Sequence, residues 1–252
     1  CPTRASLLTG LYPHKAGIGH MTGDYGTPAY QGFLRNDSVT IAEVLRLSGY
    51  RTLMSGKWHV GGHYDPREAD LWTPGEIGGP TPRQRGFDRF FGTLDGAGSF
   101  FFPHYIGEDD HRVEVTSSDF YLTDAVTDNA VRMITDAVCD EKPFFLYLAY
   151  TAPHWPLHAR PEDIATYEGA YAQGWDVLRT ARHEEMLGRG ILRGHWPISP
   201  RDAHAHAWAD EKFHDWEGVR MAVYAAMVDR MDQGVGRVMA ELRRLRVDRD
   251  TL

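Results

Sequence analysis

The chain has 252 residues, 42% of them hydrophobic and 25% charged, and its 27 Lys plus Arg against 35 Asp plus Glu leave a formal net charge of −8. That length is ample for a buried core, and the acidic balance argues against a non-specific nucleic-acid binder or a protein of anionic membrane surfaces. No apolar run approaches the ~18 residues of a membrane span, and two cysteines, Cys1 and Cys139, are too few for a disulfide framework.

The segments alternate in type along the chain, which predicts a layered α/β architecture. Arg4 falls in the first turn of a short helix within "PTRASLLTG". Thr40 and Glu43 form a capping box, Ile41, Val44 and Leu45 supply a helical face, and Gly49 is the stop. "YRTLMSGKWHV" reads as a buried strand. From Trp72 to Asp110 the composition of Gly, Pro and aromatics predicts long surface loops, with the stretch from His63 to Tyr105 a candidate for substrate selection. "EDDH", Glu108 to His111, reads as a hydrated acidic loop.

A helix is expected from about Asp119 to Val138, with Leu122, Val126, Met133 and Ala137 on its apolar face and Cys139 an inert buried thiol just beyond. "KPFFLYLAY" then has the pattern of a strand covered on both faces. Tyr224, Met227, Val228, Met231, Val235, Val238, Leu242 and Leu245 recur at steps of three and four, the stripe of a long core helix. The histidines His195, His204, His206 and His214 lack a consistent ligand spacing and read as solvated loop residues.

Three segments place cationic or titratable groups beside strand-like or turn-like sequence. A helix N-terminus near Arg4 suits an anion. In "GKWH", strand alternation would put Lys57 and His59 on one side, and in "TAPHWPLH" His154 follows the second buried strand. Ligands of open α/β sheets lie beyond the carboxyl ends of the strands. Lys57, His59 and His154 could therefore meet there as an anion-binding, acid/base site. On spacing alone a solvated lysine and hydrogen-bonded loop histidines read equally well.

"PTRASLLTG", "GKWH" and "APHWP", in that order, resemble the formylglycine-dependent sulfatases of the alkaline-phosphatase superfamily. "TIAEVLRLSGYRTLMSGKWHVGG", "RGFDRFFGTLDGAGSFF" and "RMAVYAAMVDRMDQGVGRV" extend the likeness to arylsulfatase-type members across nearly the whole chain. The resemblance implies a three-layer α/β/α sandwich around a largely parallel mixed sheet, alkaline-phosphatase-like, with residues 1–252 a single partial catalytic domain truncated at both ends.

In the family motif Pro stands two and Arg four positions after the modified cysteine. Pro2 and Arg4 therefore place that residue immediately before Cys1, so Cys1 is its neighbour and not the nucleophile. A one-residue deletion with Cys1 as nucleophile would misplace both Pro2 and Arg4. By resemblance, Arg4 steadies the formylglycine diol, Lys57 binds a sulfate oxygen, His59 contacts the diol, and His154 binds sulfate or protonates the leaving alcohol.

The family also implies a calcium ion whose ligands lie outside residues 1–252, modification by the formylglycine-generating enzyme, and a sulfated small molecule or glycan as substrate, in a periplasmic or secreted setting. The isolated fragment is expected to be inactive. Rival readings are a phosphonate or phosphate ester hydrolase of the same superfamily and a non-catalytic homologue. Trp155 and the histidines His14, His20 and His158 are further candidates for the pocket wall.

Overall fold

The computed structural model describes residues 1–62, 80–194 and 196–252. The chain divides into two compact units, Cys1–Pro156 with Arg230–Leu252, and Leu157–Asp229.

The first unit holds Pro2–Thr9 (α1), Ile41–Leu47 (α2), Arg51–Gly56 (β1), Arg89–Gly92 (β2), Ile106–Glu108 (β3), His111–Val113 (β4), Leu122–Cys139 (α3) and Phe144–Ala149 (β5). The strands form one sheet in the order β4-β3-β2-β1-β5. β1 is parallel to both β2 and β5, with Leu53 opposite Arg89 and Leu146, while β2-β3 and β3-β4 are antiparallel. The sheet is thus mixed, with a parallel centre.

Side-chain alternation along β5 shows the three layers. Phe145 and Tyr147 pack against a cluster containing Ala5 and Leu8 of α1, Ala42 of α2 and Phe87. Phe144, Leu146 and Leu148 pack against Ala130 and Ile134 of α3 with Val238 and Leu242. Successive residues point to opposite faces, so both faces of the strand meet helices. Only Ala149 of β5 is fully buried, because β5 ends the strand order and one edge has no partner strand among the described residues.

α2 begins as its sequence dictates: the Thr40 side chain accepts from the Glu43 N–H, and the Glu43 carboxylate accepts from the Thr40 N–H. Gly49, at φ +89, supplies the left-handed stop. The inward face differs from the expected one. Ala42 is buried whereas Ile41 and Val44 are exposed, because Glu43 turns inward to pair with the buried Arg85 at 3.0 Å.

Three other expectations are corrected. Among the described residues between Trp72 and Asp110 there are two strands, β2, whose Phe90 and Phe91 are buried in the middle of the sheet, and β3; runs of four and three residues are too short to show a period. "EDDH" is a hairpin turn from β3 to β4, with Asp109 at φ +54 accepting from the Phe90 N–H and paired with Arg89. Cys139 is exposed, because it ends α3 off the face that carries Val126, Met133 and Ala137.

The last helix, His214–Arg244 (α6), starts in the second unit and ends in the first. Met227, Val238 and Leu242 of its apolar stripe are buried, but Tyr224, Val228 and Val235 are exposed. Small residues carry the close packing instead: a β-carbon on Gly234 would collide with the hydroxyls of Tyr150 and Thr127. The second unit contains Pro161–Ala165 (α4) and Gly174–Gly188 (α5). There the indole of Trp208 lies edge-on to Trp175 and beside His214, and His206 pairs with Glu211 at 2.6 Å. His195 lies outside the described residues. Among the described residues no helix is long and apolar enough to cross a membrane.

Candidate active site

The carboxyl ends of the three parallel strands close tightly on one another. Gly56 ends β1 at φ +122, where a β-carbon would run into the Ala149 carbonyl, and Gly92 ends β2 at φ +147, where one would run into the carbonyl of Gly56. Only glycine fits either position. The chain leaving β1 is then tied on both sides: the Lys57 N–H donates to the Ala149 carbonyl at 2.7 Å, the Trp58 N–H to Thr93 at 2.9 Å and the His59 N–H to Leu94 at 3.1 Å.

These ties, and not strand alternation, bring Lys57 and His59 together. β1 has ended at Gly56, and His59 sits in the left-handed region at φ +50. Such a conformation is unfavourable for a non-glycine residue and is held only by its surroundings. Between the two, Trp58 is wholly buried, with its indole N–H donating to the Pro80 carbonyl at 2.8 Å.

Lys57 is 4% exposed and its ammonium donates to the Gly96 carbonyl. Burial, reinforced by the Arg4 guanidinium and opposed by Asp95, lowers its pKa to about 8. It remains predominantly protonated at neutral pH. Burial also lowers His59 to about 3, and the charges of Lys57, Arg4 and His154 push the same way. His59 is therefore a neutral imidazole, a hydrogen-bonding group and not a cation. Its Nδ1 lies 3.2 Å from the Cys1 sulfur, which in turn stands 3.9 Å from the sulfur of Met21.

Arg4 occupies the first turn of α1, with Pro2 at the helix start. The hydroxyl of Tyr147 on β5 lies within reach of its charge, while its Nε is buried with no partner among the described residues. A buried, unpaired donor on a cation is costly unless an oxygen ligand meets it. His154 lies in the turn after β5, its N–H donating to Thr151 at 3.0 Å and its Nδ1 2.6 Å from the Trp155 carbonyl. It is exposed, and Trp155 beside it is 73% exposed. Arg4, Lys57, His59 and His154 thus gather at one end of the parallel strands, close enough for their charges to act on one another.

His14 lies edge-on to Tyr30 and His20 against Tyr25, where both serve packing. Of the stretch expected to select substrate, 63–79 lies outside the described residues, and the part after β2 runs beside Lys57 and His59. That part contributes Asp95 and Gly96. The sequence signal was available, since "FFGTLDG" repeats the arrangement of "MSGKWH", a buried strand ending in glycine with a charged residue soon after. Tyr147 carried no such signal, being one apolar-looking position in a strand.

Calcium takes roughly six to eight oxygen ligands, carboxylates prominent among them. Among the described residues no three His, Cys, Asp or Glu side chains stand together as a metal site. The groups around Lys57 are mainly cationic or neutral. The described residues do not fit a calcium ion, whereas a cationic cluster with an unpaired Arg4 N–H fits an oxyanion.

The family model for Sulfatase matches residues 1–252. This chain belongs to the sulfatase family. An uncharacterized sulfatase of Schizosaccharomyces pombe (strain 972) is 31% identical, the alignment covering 96% of this chain and 46% of that protein. An arylsulfatase of Klebsiella aerogenes is 32% identical over 100% of this chain and 54% of its own length. The chain therefore spans about half the length of the curated relatives it matches. Ps i-CgsB, solved in complex with k-i-k-neocarrahexaose, superposes with a TM-score of 0.63 at 26% identity, over 97% of this sulfatase chain and 44% of that one. The alkaline-phosphatase-like α/β architecture expected from the motifs is that of the sulfatase chains it matches.

Proposed function

We propose that the protein carrying this chain hydrolyses sulfate esters, with Arg4, Lys57, His59 and His154 forming one side of its active site within a single catalytic domain. The observation that carries the reading is the buried lysine: Lys57, protonated although 4% exposed, stands beside Arg4, whose buried Nε has no partner among the described residues. Two desolvated cations with spare donors are costly in an apo fold and become favourable when an anion binds between them.

A formylglycine immediately before Cys1 would supply the attacking hydroxyl and the route for releasing sulfate. This chain's residues do the rest. Lys57 binds a sulfate oxygen and offsets the charge that accumulates as the ester bond breaks. Arg4, with Tyr147 nearby, presents its free N–H to an oxygen of the nucleophile or of sulfate. His59 stays neutral, so its ring donates a hydrogen bond at one nitrogen and accepts one at the other without adding charge to the site. His154, the exposed member of the four, protonates the departing oxygen.

The arylsulfatase relative supports aryl sulfates as substrates, and the oligosaccharide bound by Ps i-CgsB supports sulfated glycans. The test uses the complete protein, supplied with calcium and a formylglycine-generating enzyme, on p-nitrophenyl sulfate and a panel of sulfated oligosaccharides. Release of sulfate is expected, with Lys57→Ala lowering kcat/KM by ~10²–10³-fold. A protein shown by mass spectrometry to carry formylglycine, yet releasing sulfate from none of these esters, would overturn the reading.

A further inference from the structure

We propose that Asp95 is the positioning residue for Lys57: placed next to it beyond the ends of β1 and β2, its carboxylate holds the lysine as an ammonium on the Gly96 carbonyl. This rests on the sulfate-binding role just assigned to Lys57.

The backbone fixes the neighbourhood. Bonds from Trp58 to Thr93 and from His59 to Leu94 carry the parallel pairing of β1 and β2 past the last strand residues, so 57–59 and 93–95 run side by side. The chain then turns at Asp95-Gly96, and two contacts pin the turn. The Lys57 ammonium donates to the Gly96 carbonyl, and the Gly96 α-carbon packs on the His59 ring. Asp95 lines a cavity of about 10 Å³ with Thr93, His104, Tyr105 and Thr151, barely the space of one water. Its charge is therefore poorly screened from Lys57.

The charges facing each group are few. Lys57 meets Arg4 from α1, which repels it, and Asp95 from the end of β2, which attracts it. Asp95 meets Lys57 and His104, both of which favour its ionised form, and a backbone hydrogen bond does the same. Burial outweighs them and raises Asp95 to about 6. With Lys57 at about 8, the two are oppositely charged together between about pH 6 and about pH 8. Below that window the lysine loses its counter-charge, and above it the ammonium itself is lost.

A purely structural aspartate would affect stability without moving the titration of Lys57, which sets the experiment. In the complete, formylglycine-bearing protein, the pH dependence of Lys57 acylation by acetic anhydride, followed by peptide mass spectrometry, reports its protonation without reference to turnover. Asp95→Asn should lower the Lys57 midpoint by about one unit, the size expected for losing one nearby opposite charge. The alkaline limb of kcat/KM on p-nitrophenyl sulfate should move with it, and the acid limb from Asp95 should vanish. Asp95→Glu should restore both limbs.

The coupling is reciprocal. Lys57→Met, observed by carboxyl ¹³C NMR, should raise the Asp95 midpoint, which gives an independent measurement if Asp95→Asn folds poorly. An unchanged Lys57 midpoint in Asp95→Asn, or an unchanged Asp95 midpoint in Lys57→Met, overturns the proposal. If the midpoints shift but the wild-type protein cleaves no sulfate ester, the coupling stands and the functional reading fails instead.

Discussion

Gly96 packs against the imidazole of His59 so closely that a β-carbon there would stand 2.5 Å from Cε1 and 2.7 Å from Nε2. The ring cannot shift freely, because its Nδ1 is engaged by the Cys1 sulfur at 3.2 Å. Gly96→Ala should displace His59 and disturb the carbonyl that holds Lys57. Misplacing a reacting group by about 1 Å can remove ~10²-fold of rate, so a loss of roughly ten- to a hundred-fold in kcat/KM on an aryl sulfate is expected from a protein with a native circular dichroism spectrum. Near-wild-type kinetics would show that the ring position is unimportant.

His59 should titrate far below an ordinary histidine. Burial, with cations nearby, holds its folded pKa at about 3 against the ordinary histidine value of 6.5. As pH falls below 6.5 the unfolded chain takes up the proton and the folded one does not, so this group's contribution to stability is lost on acidification towards pH 3. Asp95 carries the opposite sign between about 6 and 3.8, since its folded carboxyl protonates first. The expected observation is ¹⁵N and ¹³C shifts of a neutral His59 ring from pH 8 down to pH 5. A His59 that ionises near pH 6 would remove the argument for a neutral imidazole in the site.

Phe87 fills the layer between the sheet and the first helices. It is fully buried, edge-on to Trp58 at 6.1 Å between ring centroids and stacked with Phe145 and Tyr147, each at 6.3 Å. Phe87→Ala should cost about 3–5 kcal/mol by leaving a cavity. In urea unfolding this would appear as a lower midpoint at unchanged slope. Because Tyr147 also lies near Arg4, lost activity should accompany lost stability.

Glu43 performs two tasks at once, accepting from the Thr40 N–H at 2.7 Å and from Nε of Arg85 at 3.0 Å. Arg85 is 5% exposed, so Glu43→Ala leaves a buried guanidinium without its counter-charge and α2 without half of its cap. A loss of about 2–4 kcal/mol is expected, part of the pair being exposed. Glu43→Gln, which keeps an acceptor oxygen but no charge, should lose less. Equal melting temperatures for wild type and Glu43→Ala would contradict this account.

Much of the fold was legible because local rules and tertiary context agree. The Thr40/Glu43 box and Gly49 set the ends of α2, the periodicity from Leu122 to Ala137 describes α3, and the apolar runs before Gly56 and Ala149 are β1 and β5. β2 and β3 were missed, since runs of four and three residues show no period and their burial comes from neighbours in the sheet. Ile41, Val44 and Val235 were assigned inward on periodicity. Glu43 and Gly234 took the close contacts instead, because a paired carboxylate or a missing side chain can permit closer packing than another aliphatic group.

The sequence by itself determined the family: Pro2 and Arg4, "GKWH" and "APHWP" are local patterns, readable without coordinates, and they also pointed to four candidate residues. The tertiary structure decided how those residues act. Burial, which no linear pattern records, keeps His59 neutral and brings Lys57 towards neutrality. Pairing between strands distant in the chain places Asp95 and Gly96 against both. Electrostatics in a protein depends on depth and on neighbours across the fold, so the identity of a charged residue was visible in the sequence while its strength and its partner were not.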